Sequence, residues 1–140
     1  MTATRTDQTR TSQAGSVVER FLAGIEAGEL SSDLYTADAT LDATVPGWRF
    51  QAHGAEAILR EYGRWFADPC RFHTVERHSL PDGELVRYVQ DYELDDMSFT
   101  VHHMHHLTIV GGKIARDVVF CGGRWGTEVL TEMGAAAHAT

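Results

Sequence analysis

His103, His105 and Asp117 are the residues of this chain whose types and spacing best suit proton chemistry. They fall in the run TVHHMHHLTIVGGKIARDVVF, residues 100–120, which reads as two strands joined at Gly111-Gly112. Side chains alternate along a strand, so Val101, His103, His105, Leu107 and Ile109 share one face. In the following strand Ala115, Asp117, Val119 and Cys121 form the matching set. Leu107 and Ile109 make that face the more apolar one and assign it to the interior. Two imidazoles then stand about 7 Å apart at their Cα atoms, with a carboxylate on the next strand. Imidazole titrates near neutrality and exchanges protons without large tuning. A carboxylate beside it can orient the ring and stabilise its charged form. His105 is therefore the expected acid–base group, assisted by His103 and Asp117. The same residues would also serve as a hydrogen-bonded cluster in a core or a dimer interface.

His-x-His on one strand can also give two nitrogens to one zinc ion, with Asp117 or Cys121 as a third ligand. No further His/Cys cluster completes such a site, so no metal is expected, and no organic cofactor is expected either. His102 and His106 fall on the opposite face, with Met104; Val118 and Phe120 extend that face on the next strand. A sheet side with such apolar content predicts a homodimer.

The residues that would enclose a ligand come from several segments. Phe21 lies in a first helix; Tyr62 and Trp65 share the face of a second with Phe66. Tyr88, Gln90 and Tyr92 occupy the more apolar face of the strand preceding the His-x-His strand. Trp48 follows the turn Pro46-Gly47, and Val119 and Cys121 complete the inner wall. Tyr35 and Asp42 flank the first strand as candidates for the pocket mouth, or as a cap and a surface charge. The expected ligand is a small hydrophobic molecule.

The elements that position these residues follow from periodicity. Ser16 with Glu19 has capping-box spacing, and Val17, Val18, Phe21, Leu22 and Ile25 form a helical stripe that ends at Gly28. A second short helix is expected over 32–35 and a strand over 39–45. Residues 48–53 read as a loop or a second short strand. Gly54 opens the second helix, which Asp68-Pro69 ends. Strands are then expected over 72–80, 85–94, 99–110 and 113–121, each joined by a tight turn, which makes an antiparallel meander. Helices before a meander give an α+β class, a curved antiparallel sheet wrapped around N-terminal helices. The domain is expected over 15–126. A disordered tail is expected over 1–14, and a short terminal helix or tail over 127–140, with Val129, Leu130 and Met133 as its apolar face.

Composition sets limits. The 140 residues suffice for one domain, and 43% hydrophobic content is that of a folded chain. Twenty acidic against twelve basic residues give a charge of −8, which repels phosphate backbones and argues against nucleic acid. No apolar run approaches the roughly 20 residues of a membrane helix. The first residues lack the apolar segment of a secretory signal. Cys70 and Cys121, in no disulfide-like setting, predict a reducing cytoplasm.

Four phrases in this order resemble the nuclear transport factor two-like superfamily, and most nearly its SnoaL-like polyketide cyclases and ketosteroid isomerases. They are VVERFLAGIEAGEL at 17–30, YTADATLDATVP at 35–46, HGAEAILREY at 53–62 and HHLTIVGGKIARDVVF at 105–120. The resemblance covers roughly residues 16–124 and implies a cone-shaped α+β barrel. In ketosteroid isomerases it implies a base where this chain has Ala43, a tyrosine where it has Phe21 and an aspartic acid where His105 stands. Two of those three roles are thus missing. Limonene-epoxide hydrolases of the same fold use an Asp-Arg-Asp arrangement, and Val119 takes the place of one aspartate. The aspartate and nearby histidine of the SnoaL-like cyclases are matched best, by Asp117 with His103 or His105. The reading is a cofactor-independent enzyme for cyclisation, isomerisation, dehydration or hydrolysis of a polyketide-, terpenoid- or steroid-like molecule. The alternative is a binding module of the same fold without turnover.

Overall fold

A computed structural model describes residues 5–138. The order is α1 (Arg5–Ala27), a 3₁₀ turn (Ser32–Leu34), β1 (Tyr35–Val45), β2 (Trp48–His53), α2 (Ala55–Trp65), β3 (Arg71–Leu80), β4 (Gly83–Leu94), β5 (Met97–Val110), β6 (Lys113–Gly126) and α3 (Thr127–His138). The expected apolar stripe of α1, from Val17 to Ile25, is buried. The helix ends where glycine permits it: Gly28 takes φ 74°, Glu29 N–H donates to the Gly24 carbonyl at 2.8 Å, and Gly28 N–H donates to Ile25 at 3.2 Å. This paired arrangement satisfies the last carbonyls of the helix.

Helix α1 starts at Arg5, well before the capping-box start expected at Ser16. From 5 to 14 the segment expected as an unstructured tail is therefore helical; residues 1–4 lie outside the described residues. The segment lacks proline, and once the downstream turns are docked each added residue gains a hydrogen bond without a new nucleation cost.

All six strands form one curved sheet in the order β2-β1-β6-β5-β4-β3. The meander β3–β6 is antiparallel, as is the β1–β2 hairpin, whereas β1 pairs with β6 in parallel. The expected antiparallel sheet is thus mixed at one seam. The reason is topological. Helix α2 carries the chain from one sheet edge, β2, to the other, β3. Strands β2, β3 and β5 then run one way and β1, β6 and β4 the other.

Two bulges modify β6. Thr108 pairs with Arg116 but Ile109 with Ile114, so Ala115 is the extra residue. Ile114, not Ala115, consequently fills the core, which corrects the parity expected there. Beyond Cys121 the pair Gly122-Gly123 opposes the single residue His102, with Gly123 at φ 93°. The glycines therefore bend the strand instead of ending it, and β6 runs on to Gly126. Helices α1 and α2 cover the inner face, and Phe21, Ile25, Ile58, Tyr62 and Phe66 pack there against Leu41, Tyr88, Leu107 and Val119.

Candidate active site

Asp117 on β6 lies directly opposite Leu107, and His105 on β5 opposite Val119. His105 and Asp117 are thus diagonal neighbours on the inner face, within reach of each other's side chains. Nδ1 of His105 lies 2.9 Å from Oδ1 of Asp117. On the other side Nε2 of His105 lies 2.9 Å from the hydroxyl of Tyr88 on β4. From above, Tyr62 of α2 donates its hydroxyl to Oδ2 of Asp117 at 2.5 Å. Phe21 of α1 meets the His105 ring edge-on, with centroids 5.2 Å apart. All five side chains are fully buried.

The donors and acceptors of this chain of contacts assign its protons. A carboxylate only accepts, so the proton of a neutral His105 sits on Nδ1. Nε2 then accepts from the Tyr88 hydroxyl, and the Tyr62 hydroxyl supplies the second bond to Asp117. Burial, reinforced by the nearby Asp117 charge, pushes the Tyr62 and Tyr88 hydroxyls well above the usual tyrosine range. Both therefore remain donors. Both His105 nitrogens are thus engaged by protein partners.

His103 differs from its neighbour. Its ring stacks on Trp65 at 5.7 Å with a 23° interplanar angle and meets Phe66 and Tyr88 edge-on. Burial, then the proximity of His105 and His102, pushes its pKa down to about 3. It is a neutral imidazole at physiological pH. Among the described residues neither of its ring nitrogens has a hydrogen-bond partner.

The structure gathers most of the expected wall around these two histidines. Gln90 and Val119 are buried on the same face. Cys121 lies opposite His103 and is half-buried, its sulfur accepting from Gly123 N–H at 3.4 Å; burial raises its thiol pKa. Two residues stand apart. Trp48 begins β2, at the tip of the β1–β2 hairpin, and is 71% exposed, because the Pro46-Gly47 turn carries it beyond the cover of α2. Tyr92 lies near the end of β4, beside Phe99. It borders a separate open groove of about 1000 Å³ with Asp91, His102, Thr127 and Leu130. No group of three or more His, Cys, Asp or Glu side chains among the described residues has a metal-holding arrangement.

Tyr35 is core, neither mouth nor cap, and among the described residues its buried hydroxyl has no partner. The Asp117 charge adds to the upward push that burial gives it. The signal was its alternation with Ala39, Leu41 and Ala43, disguised by the irregular register between Tyr35 and Thr40. Asp42 is held by Arg49 at 2.7 Å, which keeps its carboxyl below the usual range.

Residues 18–117 match the family model of the SnoaL-like domain. No curated protein matches the chain by sequence. Among solved structures, an NTF2-like protein from Anabaena variabilis superimposes with a TM-score of 0.71 at 16% identity, over 88% of this chain and 96% of that one. A steroid delta-isomerase from Pseudomonas aeruginosa gives 0.59 at 17% identity, over 91% and 93% of the two chains. A protein of ketosteroid isomerase-like fold from Catenulispora acidiphila, in complex with trimethylamine, gives 0.59 at 17%, over 76% and 85%. At these identities the likeness is one of fold. No helix among the described residues is long and apolar enough to cross a membrane.

Proposed function

This chain belongs to the SnoaL-like domain family, and on that premise we propose that it is a cofactor-independent enzyme that moves a proton on a small apolar molecule held inside the cone. Cyclisation, isomerisation, dehydration and hydrolysis all need such a step. The observation that carries the reading is the buried His105–Asp117 contact at 2.9 Å, continued through His105 Nε2 to the Tyr88 hydroxyl. Asp117 holds the tautomer in which Nε2 is basic. Tyr88 passes its hydroxyl proton to Nε2 as it takes one from the ligand, so no isolated tyrosinate forms in the low-dielectric interior. The fold relative that holds trimethylamine supports a small-molecule role.

The test is hydrogen–deuterium exchange at the acidic methylene of 2-tetralone, followed by NMR. The protein should accelerate exchange, and His105→Ala should cut the acceleration by about 10²–10⁴ while leaving tetralone affinity within about tenfold. A second reading, a binding module, is favoured by the closure of the network, since His105 and Asp117 are fully buried and fully bonded. Binding of tetralone without any exchange would select it.

A homodimer through the other sheet face belongs to the same proposal. Met104 and Phe120 oppose each other across β5 and β6 and are 38% and 54% exposed. Sedimentation of a monomer at micromolar concentration would remove it. The two free cysteines support a cytoplasmic setting.

A further inference from the structure

His103 and Gln90 are the inner-face side chains that the proton network leaves out. Each is 4% exposed, and among the described residues both ring nitrogens of His103 and the side-chain oxygen of Gln90 lack a partner. A buried polar atom without a hydrogen bond is destabilising by about 1–3 kcal/mol, so three of them together call for an explanation. The register puts them together: His103 pairs with Tyr88 and Val101 with Gln90, so His103 and Gln90 are diagonal neighbours on one face. His103 and His105 rings lie 6.0 Å apart. Trp65, only partly buried, stacks over His103.

We propose that His103 and Gln90 form a recognition subsite for a hydroxyl group on an uncharged ligand, about one ring's width from the proton-transfer centre. The proposal rests on the reading that a ligand enters the interior. The partner's chemistry follows from the unmet groups. A neutral imidazole offers one N–H donor and one nitrogen acceptor, and Gln90 adds a carbonyl acceptor. A hydroxyl both donates and accepts, so it satisfies the imidazole from either direction. A carboxylate only accepts and leaves both acceptors unmet. An ammonium only donates, leaves the His103 N–H unmet, and is desolvated without a counter-charge at the subsite. The low basicity of His103 keeps the imidazole in its two-way, uncharged form at physiological pH. In this proposal His103 acts as a specificity residue and, of the two histidines, His105 alone carries the proton.

The experiment uses four probes of similar shape: benzyl alcohol, toluene, benzoate and benzylamine, each titrated into the full chain by NMR. Benzyl alcohol should bind more tightly than either charged probe. Its affinity relative to toluene should fall by about tenfold or more in His103→Phe and in Gln90→Met, with toluene affinity retained. Both substitutions put apolar groups where unpaired polar ones stood, so the variants should fold with unchanged or higher melting temperature. A measurement on the unmodified protein guards the result: benzyl alcohol, and not toluene, should shift the ring ¹⁵N resonances of His103. The proposal is overturned if benzyl alcohol does not bind, if a charged probe binds best, or if both variants keep the alcohol preference. None of these readings needs turnover. A hydroxyl preference without tetralone exchange keeps the subsite and removes the enzyme; exchange with no such preference does the reverse.

Discussion

The hydroxyl of Tyr62 donates to Oδ2 of Asp117 at 2.5 Å, joining residues 55 positions apart in sequence. This bond ties helix α2 to the inner face of β6 and supplies one of the two donors that Asp117 receives. Removing it leaves a fully buried carboxylate oxygen unmet. Tyr62→Phe should therefore cost about 1–3 kcal/mol in urea unfolding, although the ring and its packing remain. A change below about 0.5 kcal/mol would show that the bond contributes nothing net to stability.

Asp117→Asn tests the assignment of protons. The amide presents one acceptor and one donor where the carboxylate had two acceptors. With Tyr62 donating to the amide oxygen, the amide N–H₂ faces Nδ1 of His105 and drives its proton to Nε2. The variant should keep the fold and switch the His105 tautomer, visible in ring ¹⁵N shifts, and it should lose proton-exchange activity. An unchanged tautomer would mean that Asp117 does not orient the ring.

The depressed pKa of His103 has a signed consequence for stability. Its folded value of about 3 lies below the ordinary 6.5 expected in the unfolded chain. Between these values the unfolded state binds a proton that the folded state refuses. Stability should therefore fall as pH falls through that window, by up to about 1.4 kcal/mol per pH unit, and should be indifferent to this group above it. The loss begins above the range where carboxylates titrate, so its upper part, down to about pH 5, reports His103 apart from them. Urea unfolding from pH 7 to pH 4 should show the slope, and His103→Phe should flatten it.

Cys70 is partly buried, and burial first, then Glu26 and Asp91, pushes its thiol up to about 11 from 9.0. The thiolate fraction at pH 8 drops by roughly 10² relative to an unperturbed thiol. Alkylation of native Cys70 by iodoacetamide should slow by about that factor and recover in urea. Equal rates in the two conditions would mean that the site is open.

Much of the inner wall was legible because strand parity is a local property. Alternation with Leu107 and Ile109 is enough to turn His103 and His105 inward, and Val119 does the same for Asp117. The end of α1 at Gly28 was legible for a similar reason, since a left-handed residue there favours glycine. Ala115 was not: a bulge inserts one residue without changing the apolar pattern, and Ile114 and Ala115 are both apolar. The exposed position of Trp48 was not readable, because an aromatic beside a turn reads alike whether the turn folds inward or projects. Tyr62 was expected on the inner face of its helix, yet its bond to Asp117 was not readable. Helical periodicity fixes which face an element buries, but not which atom on the opposite sheet that face meets. The meeting depends on where α2 sets down as it crosses from β2 to β3. That placement is decided by the packing of Ile58, Tyr62 and Phe66 against strands distant in sequence.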